Sequence, residues 1–431
     1  MIEPQEQLAR LKQRIAAIDA RFAGRKPLIP ALRPVLEHKW MHSFVDEWCQ
    51  GEVVSNAFGP HFETERLFPA HKHHGSADIG ALRDLPEDLL DALGEDRIPA
   101  AGPERWAFLD TETSGLMGDA GTYAFLVGVG RIAPDGFRVR QFFLREYAEE
   151  RSVLASLAEH LKNFDVLITY NGRSYDQPLL ETRYRMSRLE SPLARLSHLD
   201  ILYGARRLWK LRLENCRLMQ LEEQILGVQR EGDLPGELIP YVYFEYLRSR
   251  QAQRLVPIFH HNAMDIVALA CLTAIVPAAF RATDSESLAR LGVKRGEDLS
   301  GIARWLLAAG EYDQALQLLK RAVDAGLPDP LLFRTLWDIA THEKKLGRPE
   351  AALCAFTELA SCRNDYRAAA LAELAKFYEH QQRDYRLALH FTNEALLHET
   401  APGLLQRKAR LERRLAKAPA RRRSNARLKP I

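Results

Sequence analysis

The sequence lacks a long apolar segment, a signal peptide and any paired-cysteine motif. No apolar run approaches the roughly 18 residues that a transmembrane helix needs, and the first 24 residues carry charges throughout, without the apolar core of a signal peptide. The five cysteines are scattered and form no C-x-x-C pair, which argues against a disulfide framework and a structural zinc site. We therefore expect a cytoplasmic protein that does not contact a membrane.

The sequence also has little net charge, but that charge is unevenly distributed. Of a total of +3 over 431 residues, residues 407–429 contribute +10, with eleven Lys or Arg and a single acid, Glu412, so the rest of the chain carries −7. A basic tail on a weakly acidic body indicates either a contact with nucleic-acid phosphates or a solvated terminus. Composition alone leaves both interpretations open.

The length predicts two or three domains, and we divide the chain into four segments. Residues 1–100 begin with an amphipathic helix and continue as an irregular segment that contains "HKHHG" at 71–75. Imidazoles bind metals, but three histidines this close together converge poorly on one ion, which favours a surface loop. The apolar face of the predicted helix consists of Leu8, Leu11, Ile15 and Ile18.

Residues 101–285 alternate strand and helix patterns and predict an α/β domain. Three consecutive strand-like segments are followed by helix, strand, helix and a fifth strand, which is typical of a mixed sheet with helices on its faces. The predicted strands are 105–110, 122–132, 137–146, 165–172 and 198–209, and the predicted helices are 148–164 and 174–186.

Residues 295–405 are helical and repetitive, and residues 406–431 form the basic tail. Three aligned segments place Ala315, Ala352 and Ala388 at intervals of 37 and 36 residues, each after a glycine or arginine turn. Small residues at this period suit the close approach of stacked helices. The segment resembles tetratricopeptide repeats, the alternative being an ordinary helical bundle.

Four acids stand where secondary-structure elements begin or end. Asp110 and Glu112 lie two residues apart at the end of a buried strand, so they point to the same face. Asp176 begins a helix after the strand that ends near Asn171, and Asp265 lies on a strongly apolar helix, one turn after His261. Three elements would thus bring four carboxylates together.

These motifs resemble the DEDD exonuclease superfamily of the ribonuclease H-like fold. D-x-E on the first strand, N-x-x-x-Y-D after the fourth and His before Asp on the last helix appear in that order. The stretch from about 104 to 280 is similar to the bacterial YprB-type ribonuclease H-like domain, including "HLDI", "LEEQILGVQREGDLPGELIPYVYFEYL" and "HHNAMDIVAL". The resemblance covers about two fifths of the chain.

The resemblance implies a 3′→5′ exonuclease that hydrolyses single-stranded DNA or RNA with two Mg²⁺ or Mn²⁺ ions. Asp110 would bridge both ions, Glu112 and Asp265 would hold the ion that activates water, and Asp176 would act on the other. Hard oxygen ligands suit these ions, and clustered carboxylates need a cation to offset their repulsion.

The general base is left open between two histidines. Relatives place a histidine five residues before the last Asp or a tyrosine four before it, whereas this chain has His260 and His261 at those positions. Position minus four shares the helical face of Asp265, so we prefer His261, keep His260 as the alternative and note that either could be structural. Asp200 in "HLDI" could support the site or be structural.

A second class of function stays open from the sequence. A catalytically silent nucleic-acid-binding or scaffolding protein could keep the fold while its helical repeats bind a protein partner. The four acids favour the nuclease, since a silent site has no need to retain them.

Overall fold

The structure is a computed structural model that describes residues 45–93, 98–115, 121–282 and 284–417, together with positions 13, 16 and 20. The chain forms two compact units, Met1–Gly292 and Val293–Ile431. The apolar face predicted for the N-terminal helix (Leu8, Leu11, Ile15 and Ile18) lies outside the described residues, as does the tail after Lys417.

The first unit is built on a seven-stranded mixed sheet with the strand order β1-β2-β7-β6-β5-β8-β9. Strands β5, β6 and β7 form an antiparallel meander, and β8 and β9 run parallel to β5. The predicted mixed sheet with flanking helices is confirmed. The strands are β1 (Glu52–Asn56), β2 (Gly59–Pro69), β3 (His73–His74), β4 (Ala77–Asp78), β5 (Trp106–Thr113), β6 (Ala124–Ala133), β7 (Gly136–Phe143), β8 (Val166–Thr169) and β9 (Ser197–Asp200).

The sheet begins inside the segment predicted as a separate N-terminal region. The β1–β2 hairpin pairs with β7 and so satisfies backbone groups that would otherwise lie on an open edge. Phe62 is fully buried, and Glu63 forms an ion pair with Arg140 across the β2–β7 ladder. The predicted boundary at residue 100 therefore differs from the structure.

Helices cover the sheet of the first unit, and the longest of them packs over its centre. Ile266 on α7 lies so close to β6 that a Cβ on Gly130 would come within 2.5 Å of its side chain. The helices are α1 (Val45–Trp48), α2 (Glu150–Leu161), α3 (Asp176–Met186), α4 (Ile201–Trp209), α5 (Leu218–Leu221), a π-turn (Glu222–Leu226), α6 (Ile239–Ser249), α7 (Val256–Arg281) and α8 (Ser285–Arg290).

The stretch Ala252–Arg281, which contains α7, is long and apolar enough to cross a membrane by length and composition. In the fold, 72% of its most apolar window is buried. The stretch therefore contributes a core helix, which explains its hydropathy without a membrane.

The fifth predicted strand, 198–209, was wrong over most of its length. The strand β9 ends at Asp200, and the rest forms α4. The Asp200 carboxylate accepts a hydrogen bond from the backbone N–H of Leu202 and so caps the helix. Ile201, Ala205 and Leu208 are four and three residues apart and lie on one buried helical face. This spacing fits a helix and not the two-residue alternation of a strand.

The second unit is a run of helices, as predicted. The turn before each of the three repeated helices contains a residue with positive φ, namely Gly310, Gly347 and Arg383. The repeated turn therefore places one residue in the left-handed region after the preceding helix ends. The recurring alanines at 315, 352 and 388 are all buried. The helices are α9 (Gly296–Ala309), α10 (Tyr312–Asp324), α11 (Asp329–Lys345), α12 (Pro349–Ser361), α13 (Arg367–His380), α14 (Tyr385–Leu396) and α15 (Pro402–Lys417).

The first half of the predicted basic tail is helix α15. Leu411 is fully buried, and Arg407 and Arg410 both bind the buried carboxylate of Glu379 at 2.8 Å. The predicted tail boundary at residue 406 therefore differs from the structure, in which part of the basic charge is used inside the helical unit.

Candidate active site

Strand β5 carries the first two predicted acids. Asp110 lies opposite Gly128 of β6, and the ladder shifts register between Glu112 and Thr113, where the strand ends. Because side chains alternate along a strand, Asp110 and Glu112 share one face and Thr111 points to the other. Glu112 is only 9% exposed.

Asn262 of α7 fixes the orientation of Asp110. Its side-chain amide donates to Asp110 Oδ2 at 2.8 Å and lies 3.2 Å from the Asp110 backbone oxygen. The amide of Gln141 in turn donates to Asn262 Oδ1 at 2.8 Å. A Cβ on Gly128 would stand 2.2 Å from Asn262 Oδ1, so this glycine makes room for the contact.

His261 is buried among the acids. Its Nδ1 lies 2.8 Å from Asp233 Oδ2, and because a carboxylate only accepts, Nδ1 carries the proton. Its Nε2 faces Asp265 Oδ2 at 3.6 Å and Glu112 Oε1 at 4.0 Å. Burial lowers the pKa of His261, but the hydrogen bond to Asp233 and the charge of Asp265 outweigh it, and the net pKa is raised.

His260, the alternative base, points elsewhere. It is exposed, and its Nδ1 lies 3.3 Å from Arg66 Nη1 on β2. Adjacent positions on a helix are rotated by about 100°. Because the helix is continuous through both histidines, their side chains point in different directions. The structure brings His261 to the acids and leaves His260 outside.

Asp265 binds an arginine. Its Oδ1 lies 2.6 Å from Nη1 of Arg230, a side chain that is 6% exposed. Arg230 also approaches Asp233 Oδ2 at 3.3 Å and Glu222 Oε2 at 2.6 Å through Nε. Three carboxylates therefore hold this one guanidinium, whose pKa is raised because their charges outweigh its burial.

Asp176 lies beside the strand at the first position of α3. It accepts a hydrogen bond of 2.5 Å from Thr111 Oγ1. Asp200 has a structural role, because its carboxylate accepts hydrogen bonds from the backbone N–H groups of Asn171 at 2.7 Å and Arg173 at 3.1 Å. Those bonds stabilise the loop before α3, in which Asn171 has a φ of 66°.

The acids repel one another. Burial, followed by the charges of Asp265 and Asp176, raises the pKa of Asp110 well above its usual value. Burial and the neighbouring carboxylates do the same to Glu112. Burial also raises the pKa of Asp176 to about 6, against hydrogen bonds from Thr111 that lower it. The surroundings of Asp110, Glu112 and Asp176 thus disfavour the charged forms of these acids. These three residues and Asp265 are called the acid cluster below.

Comparison with known proteins agrees with this geometry. Residues 107–276 match the family model of the RNase H superfamily. The uncharacterized protein YprB of Bacillus subtilis (strain 168) is 34% identical over 291 residues, which cover 67% of this chain and 68% of that protein. This chain belongs to the YprB family of the RNase H superfamily. Membership points to a nuclease-type hydrolase that binds nucleic acid.

RNase H-like nucleases commonly use divalent metals, and the donor chemistry of the acid cluster fits them. Carboxylate oxygens are the ligands that Mg²⁺ and Mn²⁺ prefer, and a cation would offset the repulsion that raises the pKa values of Asp110 and Glu112. Over the described residues, however, no three His, Cys, Asp or Glu side chains are grouped to hold an ion. Oδ1 of Asp265 is turned to Arg230, whereas Oδ2 faces His261.

Sequence reasoning missed the residues that support the acid cluster. Asn262, Asp233, Arg230 and Thr111 contact its members, but no role was predicted for them. A signal existed for Asn262, which stands three positions before Asp265 on a helix and so lies close to its face. Arg230 and Asp233 lie in the charged, glycine-containing loop "QREGD", where no periodicity marks a buried side chain.

The "HKHHG" segment is only partly the predicted surface loop. His71 and His73 are exposed, whereas His74 is buried and lies 2.7 Å from Glu222 Oε1 through Nε2. Glu222 is the carboxylate that contacts Arg230 Nε. The segment therefore reaches the acid cluster indirectly, through Glu222 and Arg230.

Proposed function

We propose that this protein is a divalent-cation-dependent nuclease of the DEDD type, acting as a 3′→5′ exonuclease on single-stranded DNA or RNA. The observation that carries the proposal is that Glu112 and Asp265 face the buried His261, with the half-buried Asp110 close enough to repel both acids. A set of repelling, buried carboxylates is costly unless a cation offsets it. The order and contexts of the motifs support the exonuclease assignment.

Each residue has a role in this proposal. Asp110, Glu112 and Asp265 would hold the cation, with Asn262 fixing the orientation of Asp110. Asp176, hydrogen-bonded to Thr111 beside the strand, would contact a second ion. When bound, Mg²⁺ or Mn²⁺ supplies Lewis acidity to the phosphodiester and its nucleophile.

His261 takes the proton of the attacking water in this proposal. Asp233 holds the proton on Nδ1 and so presents the unprotonated Nε2 towards Glu112 and Asp265. A base must be unprotonated to act, and a cation that offset the charge of Asp265, which raises the pKa of His261, would favour that form. Asp233 therefore acts as a positioning residue for His261.

A cavity of about 970 Å³ beside the acid cluster supports a nucleic-acid substrate. Arg230 and Asp233 line it together with His260, and Arg66 and Arg138 lie on its walls. None of the four acids lines the cavity, which adjoins the acid cluster through Arg230, the partner of Asp265. Arginines that contact phosphates are typical of single-strand binding. We assign the cavity to the strand that enters the site.

We further propose that the second unit binds a protein partner and that its helices are tetratricopeptide repeats. Stacked helical repeats present extended surfaces suited to partners, and the buried alanines at 315, 352 and 388 support a regular repeat. Binding of a second protein by residues 293–431 alone would test this assignment.

A substrate panel tests the nuclease proposal. Single- and double-stranded DNA and RNA, labelled at the 5′ or the 3′ end, are incubated with Mg²⁺, Mn²⁺ or chelator. We expect cation-dependent loss of single nucleotides from the 3′ end of single strands. Internal cuts would replace exonuclease by endonuclease action, and inactivity on the whole panel would favour the scaffolding function.

A further inference from the structure

Arg230 brings a permanent positive charge into the first unit at the point where the acid cluster needs one. Its side chain is 6% exposed, and its Nη1 lies 2.6 Å from Asp265 Oδ1. Asp265 is thus partly neutralised by the protein itself. Among the described residues, neither Asp110 nor Glu112 has an arginine or lysine at such a distance, although the charge of Arg230 reaches Asp110 through space.

Arg230 can keep its place without Asp265. Glu222 lies 2.6 Å from Nε and is itself held by His74 at 2.7 Å, while Asp233 lies 3.3 Å from Nη1. Neither Glu222 nor Asp233 belongs to the acid cluster. If the Asp265 carboxylate turned away, these two acids would retain the guanidinium.

A divalent cation shared by Asp110, Glu112 and Asp265 would bind the carboxylate whose Oδ1 Arg230 already contacts. Two positive charges on one carboxylate repel each other strongly in a buried site, because the surroundings screen them less than water does. Binding of the cation and pairing with Arg230 therefore oppose each other.

We propose that Arg230 is a resident counter-ion for Asp265, which stabilises the cation-free site and whose charge opposes the binding of a divalent cation to the same carboxylate. The inference rests on the proposed function, since it assumes that Asp265 is a cation ligand. It makes Arg230 a positioning residue that sets the cation concentration at which the site fills. Removal of Arg230 should tighten cation binding and destabilise the cation-free protein.

Calorimetric titration of Mn²⁺ into chelator-treated, full-length protein tests this without any reading of nuclease activity. Arg230→Gln should lower the Mn²⁺ dissociation constant by roughly tenfold, within the 5- to 150-fold range of typical coupling between two ligands. Because Arg230→Gln leaves three buried acids without their partner and could unfold the protein, the double variant Glu222→Gln/Arg230→Gln is titrated as well. It removes one charge of each sign and should show the same tightening.

Two controls make the result specific. Arg183→Gln removes another buried arginine, 3% exposed and paired with Glu150 at 2.5 Å, and should leave the Mn²⁺ dissociation constant unchanged. Asp110→Asn should abolish most of the binding and so shows that the heat comes from the acid cluster.

The outcomes separate the two proposals. Tighter Mn²⁺ binding in both Arg230 variants, with no change in Arg183→Gln, supports the resident counter-ion. Unchanged or weaker binding in both overturns it and leaves the proposed function standing, because the wild type still binds. Absence of Mn²⁺ binding in every protein, wild type included, contradicts the proposed function and the inference with it.

Discussion

The two adjacent histidines of α7 give the sharpest functional prediction. In His261→Ala the site loses the imidazole whose Nε2 lies 3.6 Å from Asp265 Oδ2 and 4.0 Å from Glu112 Oε1. A positioned general base accelerates the reaction by about 10²- to 10⁴-fold, which corresponds to roughly 3–5 kcal/mol of activation free energy. We expect a loss of turnover of that size, with Mn²⁺ binding largely retained.

The same substitution should also lower stability. It removes the 2.8 Å hydrogen bond to the Asp233 carboxylate, and hydrogen bonds to charged groups contribute about 1.5–3 kcal/mol. The melting temperature should fall by roughly 3–12 °C for a domain of this size. Rates are therefore measured at 25 °C, with circular dichroism confirming that the variant is folded.

His260→Ala is the matched control on the neighbouring position. His260 is exposed and lies 3.3 Å from Arg66, outside the acid cluster. Turnover at saturating substrate should change only a few-fold at most, while KM could rise because His260 lines the cavity. A larger loss of turnover in His260→Ala than in His261→Ala would refute the assignment, and equal small losses would mean that neither histidine is the base.

Three further predictions concern charge, packing and the tail. Burial raises the pKa of Asp176 from 3.8 to about 6, so the folded protein binds a proton that the unfolded chain releases, and this stability is lost as pH rises from about 4 through 6. The free energy of unfolding of the chelator-treated wild type should therefore fall by up to about 3 kcal/mol relative to that of Asp176→Asn over that pH range. If the two proteins lose stability in parallel with pH, Asp176 is not the cause. Gly128→Ala should destabilise by about 1–3 kcal/mol and lower activity, because the new Cβ meets Asn262 Oδ1 at 2.2 Å; Gly121→Ala, which meets nothing within 4 Å, should be neutral by thermal unfolding. Truncation after Lys417 spares α15 and removes five basic residues, so if they contact phosphates the salt slope of single-strand binding should flatten by about 0.7 per contact, whereas an unchanged slope would leave a solvated terminus.

Local patterns were enough to predict which of the acids share a face and most of the sheet. Asp110 and Glu112 stand two apart at the end of an apolar strand, and Asp265 stands one turn after His261, so periodicity alone places each pair on one face. The three consecutive strand-like segments likewise predicted the strands β5, β6 and β7. These features depend on neighbours within a few residues.

Long-range contacts explain what the sequence could not predict. Asn262 acts on Asp110 across 152 residues and needs the empty space at Gly128 on a third element. Asp233 and His261 lie 28 residues apart, and their contact depends on how the "QREGD" loop packs. The strand predicted after Asp200 shows the same limit. The apolar run there fits a strand or a helix, and the cap formed by Asp200 favours the helix.

The central claim is that the acid cluster is a cation-dependent nuclease site, and Asp110→Asn tests it most directly. The substitution keeps the shape of the side chain and removes one charge, so the fold should persist. Hydrolysis of a labelled single-stranded oligonucleotide is followed for wild type and variant, with Mn²⁺ and with chelator. We predict hydrolysis by the wild type with Mn²⁺ and a rate lower by orders of magnitude in the variant. Equal rates in the two proteins, or hydrolysis that survives chelation, would contradict the claim.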